Sequence, residues 1–235
     1  MMHQTKAQVT VPQRQKMDYQ SYLKMAAESQ IMEWVDGEGI SYMLPIYGHQ
    51  DIVSFLDALL RQFVQYFNLG VVVPAPFEVK LWPDGPSREP DILFISQDNL
   101  TNLTSKRFQG GPDLLIEIVS ASSVIEDRVR KLTQYEQAGV REYWIIDPRP
   151  HQQQADFFIL NSDGAYVPAP VNEDGIYHST VLPNFWLNLS WLWESPLPNS
   201  QQALAEIMTS VESLSPKAKA IYQALYELLD GRSSA

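Results

Sequence analysis

The chain has 235 residues and a formal net charge of −11 at pH 7, from 28 acidic and 17 basic side chains. Hydrophobic residues make up 45% and charged residues 19%, which is typical of a globular protein with a core and argues against disorder. The absence of cysteine excludes a disulfide scaffold, a thiolate zinc site and a cysteine nucleophile. The acidity argues against a protein that coats nucleic acid through a generally basic surface.

No targeting or membrane segment is expected. Residues 1–30 contain no apolar run long enough for the core of a signal peptide. No window approaches the roughly 18 consecutive apolar residues of a membrane helix. We therefore expect a cytoplasmic protein with no membrane contact.

The first half of the chain predicts a hairpin followed by a long helix. Two alternating runs, residues 31–35 and 40–44, flank Asp36-Gly37, and this dipeptide is typical of a tight β-hairpin turn. Residues 49–67 repeat apolar side chains at helical spacing and predict the clearest helix. Shorter elements are expected around them: a helix over 17–29 and strands over 71–73, 77–81 and 92–95.

The second half begins with a strongly apolar strand. Residues 114–119 are almost continuously apolar, as in a strand buried on both faces. A helix over 124–138 follows, and Ser123 with Glu126 has the spacing of a capping box. The remaining expected elements are a strand over 142–146, a β-meander over 155–160, 165–167 and 177–182, a linker-like stretch over 195–216 and a helix over 216–230.

The order of these elements predicts the fold class. Helices and strands alternate as in an α/β (α+β) fold, with a central mixed β-sheet flanked by at least two helices. The simplest division is a flexible N-terminus over residues 1–16, one domain over 17–194, and a linker with a C-terminal helix over 195–235.

Three carboxylates occupy positions where a solvated side chain is not expected. Glu117 lies inside the apolar run LLIEIV, and a buried charge requires a cation, a metal or a functional role. Asp91 precedes the apolar run ILFI, where a turn aspartate is the simpler interpretation. Alternation places Glu33 on the face of Ile31 and Val35, although a solvent-facing glutamate on an edge strand fits equally well.

A polar stripe follows Glu117. Asp127, Lys131 and Tyr135 are spaced by four residues on one helix surface, where an ordinary solvated Asp–Lys pair is the simpler interpretation. However, the helix begins directly after the strand that carries Glu117, so the stripe can lean over the end of the sheet where open α/β folds place their sites. Carboxylates with a lysine can hold a magnesium ion, orient a water and stabilise charge on a phosphoryl group.

These segments resemble a known family. The runs EPDILFI, DLLIEIVSASS and DRVRKLTQYEQAGVREYWIIDP are similar to the Uma-type restriction endonucleases, a bacterial family of the PD-(D/E)XK nuclease superfamily. The hairpin IMEWVDGEGI and the histidine that opens the long helix resemble its N-terminal features. The resemblance covers residues 17–190 and implies a restriction-endonuclease-like core with an N-terminal hairpin, followed by a C-terminal helical extension outside the match.

The resemblance also implies a site. By position, Asp91 is the metal-binding aspartate of the first motif, Glu117 the acid of the second and Glu33 an additional acid. Val119 occupies the usual place of the superfamily lysine, so its backbone carbonyl can face the metal while Lys131 takes the role of the lysine. The implied cofactor is Mg²⁺, with Mn²⁺ as a substitute.

Secondary candidates are weaker. His49 begins a helix, where a capping role fits as well as chemistry. Ser120 has no histidine near it in the sequence, so capping of the following helix is a simpler interpretation than nucleophilic catalysis. Asp127 and Tyr135 are candidates through the polar stripe.

The resemblance implies a magnesium-dependent endonuclease that hydrolyses phosphodiester bonds in DNA and acts as a homodimer. Two alternatives stay open: a non-catalytic binding or assembly protein on a nuclease scaffold, and a metal-dependent phosphodiesterase acting on RNA or nucleotides. Weak, salt-sensitive DNA binding through a local basic rim is expected from the cations that cluster around the motifs in sequence: Lys106, Arg107, Arg128, Arg130 and Lys131.

Overall fold

The structure, a computed structural model, describes residues 12–26, 31–42 and 46–230. A π-helical segment, Glu126–Lys131, runs directly into the third α-helix. The α-helices are α1 (Tyr19–Ala26), α2 (Tyr47–Phe67), α3 (Leu132–Gln137), α4 (Ser200–Ser210) and α5 (Pro216–Asp230). The strands are β1 (Gln13–Lys16), β2 (Met32–Val35), β3 (Glu38–Ser41), β4 (Gly70–Pro74), β5 (Glu78–Lys80), β6 (Ser87–Arg88), β7 (Ile92–Ser96), β8 (Arg107–Gln109), β9 (Leu114–Ile118), β10 (Glu142–Asp147), β11 (Gln154–Leu160), β12 (Tyr166–Pro168), β13 (Ile176–His178) and β14 (Trp186–Asn188).

Two six-stranded sheets form the body of the protein. The N-terminal sheet has the order β1-β3-β2-β6-β5-β8, and the central sheet has the order β12-β11-β10-β9-β7-β4. In the central sheet β9 and β10 are parallel, while the other neighbours are antiparallel. The predicted mixed sheet flanked by helices is therefore confirmed.

The central sheet is buried on both faces. Ile92 and Ile116 face a core that includes the apolar side of α2, whereas Leu93 and Leu115 face a second core that includes Tyr135 of α3. Because side chains alternate along a strand, Glu117 lies on the face opposite that of Ile116. The strand pattern thus directs this carboxylate toward the helix that follows β9.

The N-terminal hairpin forms around the predicted turn. Asp36 and Gly37 both have positive φ angles, 51° and 78°, as a type I′ turn requires. The register pairs Glu33 with Ile40 across β2 and β3. Residues 27–29 of the expected first helix and 43–44 of the expected return strand lie outside the described residues.

The N-terminal segment contains a strand that the sequence pattern did not indicate. Residues 13–16, assigned above to a flexible N-terminus, form β1 and pair with β3. Residues 1–11 lie outside the described part of the chain, and the division into 1–16, 17–194 and 195–235 stays a prediction.

The expectation of a meander is wrong for its last strand. The strand near residue 177 ends at His178 and pairs with β14 in a separate two-stranded sheet. The backbone N–H groups of Thr180 and Val181 donate instead to the buried carboxylate of Glu142, at 2.8 and 3.1 Å. A buried acceptor thus takes the donors that a longer strand would need.

The linker expected over 195–216 is largely helical. The side chain of Asn199 accepts a hydrogen bond from the backbone N–H of Gln201 at 2.8 Å and caps α4. Ile207 and Met208 are fully buried in the same core as α2. The stretch is polar in overall composition, but one face of α4 is apolar and packs into the core. No helix in the described part of the chain is long and apolar enough to span a membrane.

Replacement of Ile207 tests whether α4 belongs to the core. Because Ile207 is fully buried, Ile207→Ala should lower the free energy of unfolding by about 2–5 kcal/mol. The control Gln201→Ala, at an exposed position of the same helix, should change it by less than about 0.5 kcal/mol. Urea denaturation measures both, and equal effects would show that α4 does not contribute to the core.

Candidate functional site

A buried lysine lies at the centre of the candidate site. Lys131 is the last residue of the π-helical segment, and its side chain is only 4% exposed. An ammonium group has three N–H donors, and this one has three carboxylate neighbours. Its Nζ lies 2.9 Å from Oε2 of Glu117, 3.1 Å from Oε1 of Glu33 and 3.2 Å from Oδ1 of Asp127. We call these four residues the lysine cluster.

The π-helical segment explains how two consecutive acidic residues turn inward together with the lysine. Glu126, Asp127 and Lys131 are buried, while the apolar Ile125 and Val129 are exposed. This pattern is the reverse of an ordinary amphipathic helix. Wide turns of this kind recur at functional sites. The capping box expected with Ser123 is not observed, because the Glu126 side chain binds arginines instead.

The polar stripe faces the protein interior. The Tyr135 hydroxyl donates to Oε1 of Glu117 at 2.8 Å. The ammonium group of Lys131 lies 2.9 Å from the other oxygen of Glu117, and the carboxylate of Asp127 lies 3.2 Å from that ammonium group. The interpretation of the stripe as a solvated helix surface is therefore wrong, because the helix packs over the strand that carries Glu117.

A buried arginine that the sequence analysis missed completes the surroundings of Glu33. Arg88 is fully buried, and its Nη1 donates to Oε2 of Glu33 at 2.7 Å. Its Nε donates to Oε1 of Gln134 at 2.8 Å. The hydroxyl of Tyr42 also donates to Oε2 of Glu33, at 2.6 Å. No spacing rule indicates Arg88, because its partner lies on a strand that is distant in the sequence.

The two glutamates beside Lys131 have opposite electrostatic environments. Burial alone would raise the pKa of Glu33, but the charges of Lys131 and Arg88 lower it to about 2. Burial raises the pKa of Glu117 well above its ordinary value, and the nearby carboxylates of Asp127 and Asp91 raise it further against the effect of Lys131. Glu33 thus has two cations beside it, whereas Glu117 has only Lys131, which it shares with Glu33 and Asp127.

The charge of Lys131 itself is strongly stabilised. Burial would lower the pKa of the lysine, but its carboxylate neighbours keep that pKa well above the ordinary value. Burial also raises the pKa of Asp127, although Lys131 acts in the opposite direction. In the described part of the chain, neither carboxylate oxygen of Asp127 has a hydrogen-bond partner; Lys131 lies within 3.2 Å but outside hydrogen-bonding geometry.

Asp91 lies at the same edge of the central sheet as Glu117. It directly precedes β7, and its Oδ2 accepts a hydrogen bond from the backbone N–H of Ile118 at 2.7 Å. The Nε2 of His49, in the first turn of α2, lies 3.3 Å from the same oxygen. Burial would lower the pKa of His49, but the hydrogen bond and charge of Asp91 raise it. His49 thus contacts a candidate site residue rather than capping its own helix.

Val119 and Ser120 lie in the turn that follows β9. The backbone N–H of Val119 donates to the carbonyl of Ile146 at 2.8 Å. The backbone N–H of Ser120 donates to Oγ of Ser123 at 2.9 Å, and the Oγ of Ser120 lies 3.1 Å from that of Ser122. These serines form a local hydrogen-bonded turn, and among the described residues the side chain of Ser120 contacts only other serines.

The carboxylates do not form a preformed metal cage. Among residues 12–26, 31–42 and 46–230, no group of three or more His, Cys, Asp or Glu side chains is arranged to hold a metal ion. Lys131 takes the position between the three carboxylates of the lysine cluster. Asp91 adjoins Glu117 at this edge, where its Oδ2 accepts from the backbone N–H of Ile118, the residue after Glu117.

Comparison with known proteins identifies the family. Residues 19–190 match the model of the Uma2 family, which is described as "Putative restriction endonuclease". The chain belongs to the Uma2 family. The match spans every residue of the lysine cluster as well as Asp91 and His49, so the resemblance inferred from the motifs is confirmed, and membership of this family supports a nuclease.

A solved structure shares the fold of this Uma2 protein. It is described as a "putative nuclease belonging to DUF820" from Anabaena variabilis ATCC 29413. The two chains are 16% identical and superpose with a TM-score of 0.55, over 69% of this chain and 89% of the other. At this identity the likeness establishes the fold. No curated protein sequence matches this chain.

The low pKa of Glu33 predicts an acid-sensitive contribution to stability. A carboxyl group whose pKa is lowered to about 2 from an ordinary value of 4.5 stabilises the folded state above pH 4.5. This contribution is lost as the pH falls toward 2. Between these pH values wild type should lose roughly 3 kcal/mol more of its free energy of unfolding than Glu33→Gln does. Urea denaturation at several pH values measures the difference, and identical losses in the two proteins would contradict the assignment.

Proposed function

We propose that this protein is a magnesium-dependent endonuclease that hydrolyses phosphodiester bonds in DNA. The observation that carries the proposal is the contact of 2.9 Å between Nζ of Lys131 and Oε2 of Glu117, at the sheet edge that also holds Asp91. Family membership supports a nuclease. The magnesium dependence, the DNA substrate and the residue roles are proposals that rest on this geometry.

The position of Lys131 supports the idea that the lysine has moved onto the helix. The superfamily pattern places a lysine two residues after the second acid, where this chain has Val119. Val119 is buried and apolar, and it can offer only its backbone to the site. Lys131 reaches Glu117 from the π-helical segment instead. An ammonium group beside the second acid is thus retained by a different part of the chain.

The donor set at the sheet edge fits a magnesium ion. Mg²⁺ is commonly bound by only one or two carboxylates together with waters and substrate phosphates. Asp91 and Glu117 supply two carboxylates, and the carbonyl of Val119 supplies a third oxygen. Lys131 is shared among three carboxylates, so a cation bound by Asp91 and Glu117 would add charge compensation at this edge. When bound, the metal would polarise a phosphoryl oxygen and lower the pKa of a bound water.

The residues of the chain have separate proposed roles. Lys131 stays charged at neutral pH because its pKa is raised, so it acts as a hydrogen-bond donor to developing negative charge rather than as a base. Tyr135 orients Glu117 through its hydroxyl, and His49 orients Asp91. Glu33 holds Lys131 in place from the opposite side. A homodimer and a cytoplasmic location, expected from the sequence, stay predictions.

Loss of either proposed metal ligand should abolish cleavage. With Mg²⁺ or Mn²⁺, wild type is expected to nick or cut plasmid DNA, whereas Asp91→Ala and Glu117→Ala should be slower by about 100-fold or more. Asp98→Ala, which removes an exposed aspartate from the short 3₁₀ helix after β7, serves as the matched control and should retain activity. Gel assays of identically purified proteins measure the rates.

The same assay distinguishes the alternatives. If wild type is as inert as Asp91→Ala on DNA but degrades RNA or nucleotides, the substrate assignment is wrong and the metal chemistry stands. If wild type and variants are equally inert on all of these substrates with both metals, a non-catalytic assembly protein is favoured.

Lys131→Met separates metal binding from catalysis. Removal of the ammonium leaves the carboxylates without their cation, so Mn²⁺ should bind at least as tightly as in wild type, as measured by calorimetric titration. Cleavage should nevertheless fall by about 100-fold or more, because a donor to the developing charge is lost. Circular dichroism confirms folding, since loss of a buried ion-pair partner costs about 3–5 kcal/mol. Cleavage at the wild-type rate by a folded Lys131→Met protein would refute the role of the lysine.

A further inference from the structure

We infer that Arg14 and Arg130 form a phosphate-binding clamp, the arginine clamp, that holds the backbone of a nucleic acid beside the lysine cluster. The inference rests on the proposed function and pairs Arg130, a member of the basic rim expected from the sequence, with a residue that the sequence analysis did not assign. One of them, Arg14, comes from β1, in the segment that the sequence pattern assigned to a flexible terminus.

A single buried carboxylate gathers three guanidinium groups. Glu126 lies in the π-helical segment, and its oxygens accept from Arg14 at 3.0 Å and from Arg130 at 2.7 Å. The third guanidinium, that of Arg88, lies 3.5 Å away. Both surface arginines therefore contact one carboxylate, Arg14 through both of its oxygens and Arg130 through Oε2.

The two surface arginines share one buried partner. Arg88 is also paired with Glu33 at 2.7 Å, so it brings its own counter-charge. Arg14 and Arg130 both contact Glu126. Glu38 lies 3.4 Å from Arg14 but is partly exposed, where an ion pair contributes little to stability. By formal count the three arginines balance the three glutamates that they contact, so this patch is neutral on a chain whose net charge is −11.

Hydrogen-bond donors are in excess. A guanidinium has five N–H donors, and the only side-chain acceptor bound by Arg130 among the described residues is Glu126. The Arg14 and Arg130 side chains are 31% and 51% exposed, so their remaining donors can reach a ligand. Behind them, Nη2 of the fully buried Arg88 has no hydrogen-bond partner in the described part of the chain. Paired guanidinium donors of this kind match the oxygens of a phosphate.

The arginine clamp is continuous with the proposed catalytic residues. Arg88 contacts both Glu126 and Glu33 through one nitrogen atom, Nη1. Glu33 in turn contacts Lys131, which contacts Glu117. A phosphate held by the clamp would therefore lie on the same nucleic-acid strand as the phosphodiester at Glu117 and close to it.

Other cations of the expected basic rim are engaged elsewhere. Arg107 pairs with Glu78 at 3.1 Å. Arg128 binds two aspartates, Asp156 and Asp147. Lys131 is buried in the lysine cluster. The tertiary structure thus replaces most of the rim predicted from the sequence with the pair formed by Arg130 and Arg14.

Salt-dependent binding tests the arginine clamp. Labelled duplex DNA is titrated with protein by fluorescence anisotropy, with Ca²⁺ in place of Mg²⁺, over a series of salt concentrations. Each phosphate contact contributes about 0.9 to the slope of log K against log salt. The Arg14→Gln and Arg130→Gln double variant should lower this slope by about two and raise the Kd by about tenfold or more. Arg130→Lys, which retains the charge, should keep most of the slope.

Arg141→Gln is the matched control. Arg141 is 61% exposed and paired with the buried Asp113, at the start of β10 and hence at the opposite end of the sheet from Glu117. Its loss should leave slope and Kd unchanged. Thermal unfolding checks the variants; if the double variant unfolds, the single variants should each lower the slope by about one.

The outcomes separate this inference from the proposed function. Wild type that fails to bind DNA, a double variant that binds like wild type, or an Arg141→Gln protein that weakens binding equally would each overturn the arginine clamp. Cleavage by wild type with no effect of the double variant on binding would leave the nuclease proposal standing alone. Clamp-dependent binding without cleavage would support the clamp and refute the nuclease.

Discussion

The ammonium group of Lys131 is the interaction on which the site depends. A buried cation is tolerated only when its surroundings supply compensating charge, and here the compensation comes from separate parts of the chain. Glu33 belongs to the N-terminal sheet, Glu117 to the central sheet and Asp127 to the π-helical segment between β9 and α3. The requirement to neutralise one lysine therefore holds the two sheets and the helix in a fixed relation at the proposed catalytic edge.

The two glutamates that share this lysine illustrate how environment divides similar groups. Glu33 also receives donors from Arg88 and Tyr42, which hold its pKa low. Glu117 faces the carboxylates of Asp127 and Asp91, and burial raises its pKa. Groups whose surroundings push their pKa values apart commonly have different roles. This difference supports the proposed roles, in which Glu33 positions Lys131 and Glu117 binds the cation.

Burial was predictable from local patterns for one candidate carboxylate. The apolar run around Glu117 indicated a buried strand, whereas alternation left an inward and a solvent-facing Glu33 equally open; both side chains are buried. The spacing of Asp127, Lys131 and Tyr135 correctly placed them on one surface, but the pattern alone favoured solvent exposure. What turned that surface inward was the packing of the helix over β9, which no helical periodicity encodes.

The sequence by itself determined most of the elements, the hairpin turn, the buried position of Glu117 and the family, because periodicity, turn chemistry and motif spacing are properties of neighbouring residues. Only the tertiary structure decided which charges meet. Arg88 and Glu33 are 55 positions apart, and Arg14 and Glu126 are 112 positions apart, so no local pattern relates them. The π-helical turn and the buried side of α4 also depend on tertiary contacts, since a wide turn around Lys131 and an apolar face in a polar stretch are stable only when other elements pack against them.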